Sequence, residues 1–176
     1  HYFTLSANQN NSNAQCFFGK FYDLGEYISQ DINKSIYYLN LSANQNDSDA
    51  QCVLGKIYYG GKNIEKDIKK SINYFKESSS FNNSVAKNYL GIIYKNGDGV
   101  ERNISFAKIY FKEAIKQMEE EYSMYNLARI YYFCMDMERK IAKSISLLKK
   151  ASKKQLYIAD LFLFFIFSNY DDKNFI

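Results

Sequence analysis

The sequence predicts an all-α fold of stacked helix-turn-helix repeats. Three observations predict it. Apolar residues recur at helical spacing on both sides of glycine-rich turns. That arrangement returns in register every 36 residues, a period in the range of solenoid proteins. The chain has 176 residues, 47% of them hydrophobic, and no long polar tract, so it can bury a core of ordinary size.

Residues 83–115 show the unit most clearly. Ala86, Leu90, Ile93 and Tyr94 line one face of a first helix. Ser84 stands before that face as an N-cap candidate. The run Asn96-Gly97-Asp98-Gly99 ends the helix, because two glycines with Asn and Asp favour a turn over a helix interior. Val100 is the one apolar residue there and is expected to plug the turn into the core. Asn103 can cap a second helix, in which Ile104, Ala107, Phe111 and Ala114 share a face. Gly91 and Ala107 are small, which lets the paired helices approach closely.

The same features lie one and two steps upstream. Gly91 matches Gly55 and Gly19, and Ala86 matches Ala50 and Ala14. The turn glycine Gly97 matches Gly61 and Gly25, and the plug Val100 matches Ile64 and Ile28. The cap Asn103 matches Asp67 and Asp31. Ala107 matches Ser71 and Ser35, and Ala114 matches Ser78 and Ser42. The first cap recurs as Ser12, Ser48 and Ser84, with Gln15 and Gln51 at capping-box spacing behind the first two.

These pieces resemble the Sel-one-like repeat family, a relative of the tetratricopeptide repeat. The matching residues are Ala86, Leu90-Gly91 and Tyr94, then Gly97, Gly99 and Val100, then Asp67, Lys70 and Ser71, and finally Ala114. The likeness covers nearly the whole chain. It departs in the closing small pair, which reads Ser78-Ser79 and Ala114-Ile115, and in Ser for Ala at 35, 71 and 144. The resemblance implies a right-handed α/α superhelix, a solenoid whose first helices line a concave groove. It also implies a non-enzymatic scaffold or adaptor that binds a protein or peptide there, without a cofactor.

In chain order, residues 2–9 match residues 38–45 and read as the closing half of a repeat whose first half is missing. The chain is thus expected to be part of a longer protein. Full repeats follow at 12–45, 48–81, 84–117 and 121–154, with a partial fifth at 157–176, all in a single repeat domain. Met118 to Glu121 add one residue and a charge run, expected as a solvated loop with acids near a helix N-terminus. The fourth repeat diverges: Ala128 replaces the helix glycine, Cys134 the turn glycine, Met137 the plug and Lys140 the cap. Its helices are expected at 123–133 and about 141–152. Residues 157–167 are the most apolar run, yet fall short of the ~20 apolar residues of a membrane span.

Chemistry is sparse. The single His is residue 1, so no Ser-His-Asp or Cys-His arrangement can form within the repeats. The turns Gly60-Gly61 and Gly97-Asp98-Gly99 lack the strand and the Lys-Ser/Thr of a P-loop. No Cys/His cluster has zinc spacing, so neither metal nor catalytic residues are expected. The net charge of +4 is dispersed and makes no basic stripe for nucleic acid. Cys16, Cys52 and Cys134 number at most one per repeat and are expected as free thiols in a reducing, cytoplasmic setting. Sequon triplets at Asn10, Asn33, Asn40, Asn46, Asn82 and Asn103 keep an adaptor in the endoplasmic-reticulum lumen, serving protein quality control, as an alternative. Another alternative is the regulatory or targeting segment of a larger signalling enzyme such as a protein kinase. A hydrolytic activity of the repeats has no residue to carry it.

The partner-binding face follows from the helical wheel. Ala14, Phe17, Phe18, Phe21 and Tyr22 form one arc of the first helix, and Cys16, Lys20 and Asp23 lie opposite, towards the groove. The same register gives Cys52, Lys56 and Tyr59, then Asn88, Ile92 and Lys95, then Tyr125, Arg129 and Tyr132. The expected contact set is Lys20, Lys56, Tyr59, Asn88, Lys95, Tyr125, Arg129 and Tyr132. These basic and tyrosine side chains suit an acidic, aromatic-containing peptide. Long basic side chains also simply keep a groove hydrated.

Overall fold

Short polar side chains set where each helix begins, by accepting from amides that the first turn leaves without partners. The computed structural model describes residues 11–25, 29–133 and 138–171. Among them run nine helices and no strand: α1 (Ser12–Leu24), α2 (Ile32–Ala43), α3 (Ser48–Gly60), α4 (Ile68–Ser80), α5 (Ser84–Asn96), α6 (Ile104–Met118), α7 (Glu121–Phe133), α8 (Glu138–Lys153) and α9 (Tyr157–Asp171). Asp31, Asp67 and Asn103 cap the second helices as the sequence predicts, each accepting from the amide three residues on.

The first helices are capped one residue earlier than predicted. Asn11, Asp47 and Asn83 accept from the amides of Ala14, Ala50 and Ala86 at 2.9–3.0 Å. Ser12, Ser48 and Ser84 are therefore the first helical residues and not the caps, and Gln15 and Gln51 form no capping box. Both glutamines are buried and bond outside their own first turn: Gln45 Nε2, in the turn after α2, donates to Gln15 Oε1, and Gln51 Nε2 donates to the carbonyl of Ala43 at the end of α2. The carboxylates and amides win the cap because the loop places them at extended φ/ψ, with the side chain over the first turn. In the fourth repeat Glu120 does this work, accepting from the Ser123 amide, so α7 starts at 121 and not 123. Helix α8 likewise starts at Glu138, before the predicted 141, and Lys140 lies inside it and is not a cap.

The helices fall into two compact units, residues 1–90 and 91–176, with the boundary inside α5. In the first unit α1 packs on α2 and α3 on α4, while α3 also meets α1 and α2. Cys16, Leu39, Ala43, Ala50, Leu54 and Ile57 form its core. Gly19 and Gly55, at the same position of the two first helices, each face a large second-helix side chain. A Cβ on Gly55 would stand 2.7 Å from the Phe75 ring, and one on Gly19 would meet Leu39. The Ser-for-Ala departures have a structural reason. Ser71 Oγ donates to the Gly55 carbonyl at 2.8 Å, and Ser42 and Ser78 donate to the carbonyls of Ser12 and Ser48. Ser35 Oγ, at the repeat position of Ser71, is buried without a partner.

In the second unit α6 packs on α7, α7 on α8, and α8 on α9. Gly91 faces Phe111 here. Ala128 takes the glycine position in the fourth repeat, and Leu148 the facing one, both fully buried. Ser144 Oγ donates to the Ala128 carbonyl at 2.9 Å, as Ser71 does to Gly55. Helix α9 seats Ala159 and Ile166 on this core and leaves Leu161, Phe164, Phe165 and Phe167 exposed. Among the described residues no helix is long and apolar enough to cross a membrane.

A tyrosine ladder accompanies the glycine ladder. Tyr22 stacks on Tyr38, Tyr58 on Tyr74 and Tyr94 on Tyr110, with ring centroids 5.7–5.9 Å apart and planes within 11°. Val100 is half-exposed, so it closes the turn without entering the core; Ile64 packs at the core edge. Asn46, Asn82, Glu119 and Gln155 recur at the turn between repeats with left-handed backbone, φ 47–67°. Asn tolerates that conformation better than most residues, which gives Asn46 and Asn82 a backbone role. Residues 2–9, Ile28, Cys134 and Met137 lie outside the described residues.

Two equivalent clefts on the first helices

The structure places Lys20, Lys56, Tyr59 and Asn88 in the first unit, and Lys95, Tyr125, Arg129 and Tyr132 in the second. Their burial differs sharply. Lys56 and Arg129 are exposed, Lys20, Tyr59, Lys95, Tyr125 and Tyr132 are half-buried, and Asn88 is buried. Cys16 and Cys52, expected on the groove side, are buried at 4% and 5% exposure. Phe17, expected in the core-facing arc, is exposed. In the first unit α1 must meet both α2 and α3. Its buried surface is therefore wider than one amphipathic stripe and includes the Cys16 side. Burial holds both thiols neutral: that of Cys16 is pushed up to about 11 and that of Cys52 to about 12, although Lys20 and Lys56 oppose the shift.

Two clefts open on these helices. The first, of about 310 Å³, is lined by Asp23, Gln30, Lys56, Tyr59, Lys62 and Tyr89, among others. The second, of about 290 Å³, is lined by Lys95, Asn96, Arg102, Ile104, Arg129, Ile130 and Phe133. They occupy one place in the repeat. Asp23, Gln30, Lys56, Ile57 and Gly60 of the first correspond in register to Lys95, Arg102, Arg129, Ile130 and Phe133 of the second. Each cleft is thus built from the first-helix end and turn of one repeat and the first helix of the next.

A side chain from the turn braces each wall. Gln30 Nε2 donates to the carbonyl of Asp23 at 2.7 Å, and Arg102 Nε to the carbonyl of Lys95 at 3.1 Å. Both brace residues pack against the left-handed turn glycine before them, Gly25 and Gly97. At the repeat position between, Lys66 packs on Gly61 and holds its Nζ 5.0 Å above the Tyr59 ring. Residues 30, 66 and 102 were not singled out from the sequence. The ladder itself was the signal that could have found them, each lying five residues after a turn glycine.

The electrostatics of the two clefts differ. In the first, burial raises the Asp23 carboxyl above its ordinary range, opposed by Lys56 and Lys62, so an acid sits among the cations. Lys20 pairs with Asp49 at 3.0 Å. Its burial disfavours the charge, but the hydrogen bond to Asp49, with Cys16 and Asp49 nearby, leaves its pKa raised. In the second cleft, burial and then the Arg129 charge lower the Lys95 pKa, with Asp98 opposing. Lys95 Nζ donates to Asn126 Oδ1 at 3.3 Å, and the Arg129 guanidinium lies 5.6 Å from the Tyr125 ring centroid. Tyr125 and Tyr132 are already engaged: Phe162 of α9 meets their rings edge-on at 6.1 and 5.3 Å. Among the described residues no cluster of His, Cys, Asp and Glu could hold a metal ion.

Comparison with known proteins agrees with this architecture. The Sel1 repeat model matches residues 12–47, 48–80, 84–117 and 121–156. The crystal structure of a Sel1 repeat protein from Oxalobacter formigenes is 25% identical, with a TM-score of 0.80 over 90% of this chain and 64% of that one. That of c5321, a protective antigen present in uropathogenic Escherichia coli strains and displaying an SLR fold, is 26% identical, with a TM-score of 0.78 over 93% of this chain and 36% of that one. Cysteine rich protein B of Helicobacter pylori, 24% identical over 64% of this chain and 93% of its own, shares the fold with a TM-score of 0.52. The chain therefore spans less than two thirds of the length of the first two. No curated protein sequence matches it.

Proposed function

This chain belongs to the Sel1 repeat family, and from that premise we propose that it is a non-enzymatic scaffold, docking a protein or peptide segment on the exposed faces of its first helices. The family's repeats generally serve protein interaction. The observation that supports the reading here is the recurrence of one cleft at the same repeat position in both units, with different side chains each time. A repeat that keeps its frame and varies its cleft presents several recognition sites from one fold. Lys56, Tyr59, Lys95 and Arg129 line the clefts directly. Lys20 is tied to Asp49, Asn88 is buried, and Tyr125 and Tyr132 support the second cleft from beside it. An acidic segment is the partner this set favours, and charge pairing of that kind mainly sets association rate and salt sensitivity. Buried neutral thiols suit a reducing, cytoplasmic setting.

The test begins with a partner recovered by pull-down. Lys56→Glu combined with Arg129→Glu is expected to slow association measured by surface plasmon resonance, and wild-type binding is expected to weaken with added salt. Equal association rates for the variant and the wild type, together with indifference to salt, would place the partner on another face.

A further inference from the structure

The two equivalent clefts differ in one respect that bears on ligand choice. Where the first has Asp23 and Gln30, the second has Lys95 and Arg102, and Arg129 stands where the first has Lys56. Three cations therefore converge on the second cleft. Among the described residues none of the three is in an ion pair. The Lys95 ammonium meets a neutral Asn126 oxygen, and Arg102 uses its Nε on a main-chain carbonyl. That bond orients the guanidinium and leaves its terminal nitrogens for a ligand. The acid acting on Lys95 is Asp98, which is hydrogen-bonded by Asn96 at 3.2 Å. Ile104, Ile130 and Phe133 supply an apolar wall beside the charges.

We propose that the cleft lined by Lys95, Arg102 and Arg129 is a binding site for a phosphate monoester, with the phosphoryl oxygens on the cations and the esterified carbon group against Ile104, Ile130 and Phe133. The charge balance selects the dianion. Three cations less Asp98 leave two positive charges, which a carboxylate would only half neutralise. A phosphate monoester carries close to two negative charges at neutral pH, since its second pKa is about 6. Two guanidinium forks also match phosphoryl oxygens in a way that point charges cannot. The lowered Lys95 pKa is consistent, because a half-buried cation beside Arg129 is relieved by an arriving anion. The first cleft provides an internal contrast: it sets the Asp23 carboxyl near Lys56 and Lys62, so its lining is not purely cationic. The phosphate contacts are side-chain cations and not turn amides, so no nucleotide-binding loop is involved. The ester could belong to a phosphorylated side chain of a partner or to a free small molecule.

The experiment titrates the whole chain with phenyl phosphate at pH 7.5 and constant ionic strength, by calorimetry and by amide chemical shifts. A second arm uses a short peptide carrying phosphoserine between leucines, with its unphosphorylated form as control. Saturable binding is expected, with shifts at residues 95–104 and 129–133. Arg102→Gln and Arg129→Gln should each weaken it by about tenfold or more, while Lys56→Glu in the first cleft leaves it unchanged. A phosphopeptide that binds more tightly than phenyl phosphate assigns the ester to a partner's side chain; one that binds no more tightly assigns it to a small molecule. Absence of saturation by both probes, or full affinity in Arg102→Gln, overturns the proposal. Arg102 is exposed, so that variant decides even if Arg129→Gln does not fold. No partner protein enters these titrations, so the site and the scaffold role can fail separately.

Discussion

Adding one methyl group at Gly91 tests the packing that spaces each helix pair. A Cβ there would lie 2.5, 2.7 and 2.8 Å from three ring atoms of Phe111, whose side chain is fully buried. The ring is packed in the core with Leu127 and Ile130, so the overpacking cost is set at the upper end of the usual range, about 3 kcal/mol. Alanine returns about 1 kcal/mol of helix propensity relative to glycine. The net expectation for Gly91→Ala is a loss of about 2 kcal/mol, a fall of about 1 M in the urea midpoint followed by circular dichroism. Gly60→Ala is the control. Nothing lies within 4 Å of its added Cβ, so it should be neutral or stabilise by about 0.5–1 kcal/mol. Phe111→Leu in the Gly91→Ala background recreates the Ala128–Leu148 pairing of the fourth repeat and should recover part of the loss. A Gly91→Ala midpoint at or above wild type would show that the close approach is not what fixes this position.

Native protein at pH 8 should protect Cys16 and Cys52 from a thiol reagent, and denatured, unreduced protein should titrate three free thiols; fewer than three would count against a reducing home. Asn103→Ala should cost about 1 kcal/mol through the lost bond to the Phe106 amide, readable as a lower urea midpoint. Burial first, opposed by its bonds to Ser123, raises the Glu120 pKa. A raised carboxyl favours the folded state below its unfolded pKa, and that contribution is lost as pH rises through the folded value. Glu120→Gln, which can still accept from Ser123, should therefore gain on wild type at pH 7 and lose that advantage towards pH 4; an equal difference at both pH values would refute the burial argument. A chain ending at Gln117 should keep its helical circular dichroism, because repeat stability is a nearest-neighbour sum; complete loss would show longer-range cooperativity.

Much of this fold was legible because the repeat writes the same physical demand three times over. A small residue at 19, 55 and 91 and a cap at 31, 67 and 103 each answer a local requirement that the chain states by itself. The first caps were misplaced by one residue because Ser12, Ser48 and Ser84 follow Asn11, Asp47 and Asn83, and all six are acceptable cap residues. Which of two adjacent candidates wins depends on the backbone path into the helix, which no local pattern reports.

The proposed binding face was less legible for a related reason. A helical wheel divides a helix into one buried and one exposed arc, but α1 in the first unit is contacted by two other helices. Cys16 therefore disappeared into the core, while Lys56, Tyr59, Lys95 and Arg129 reached the clefts. Arg102 entered the second cleft from a turn, outside any helical register, through its bond to the Lys95 carbonyl. Sequence alone determined the period, the helix pairs and the small-against-large contacts, because these follow from spacing and side-chain size. Tertiary structure decided which polar side chains are spent within the chain and which are left to converge. That choice depends on distances between residues that are far apart in sequence, and spacing along one helix carries no information about them.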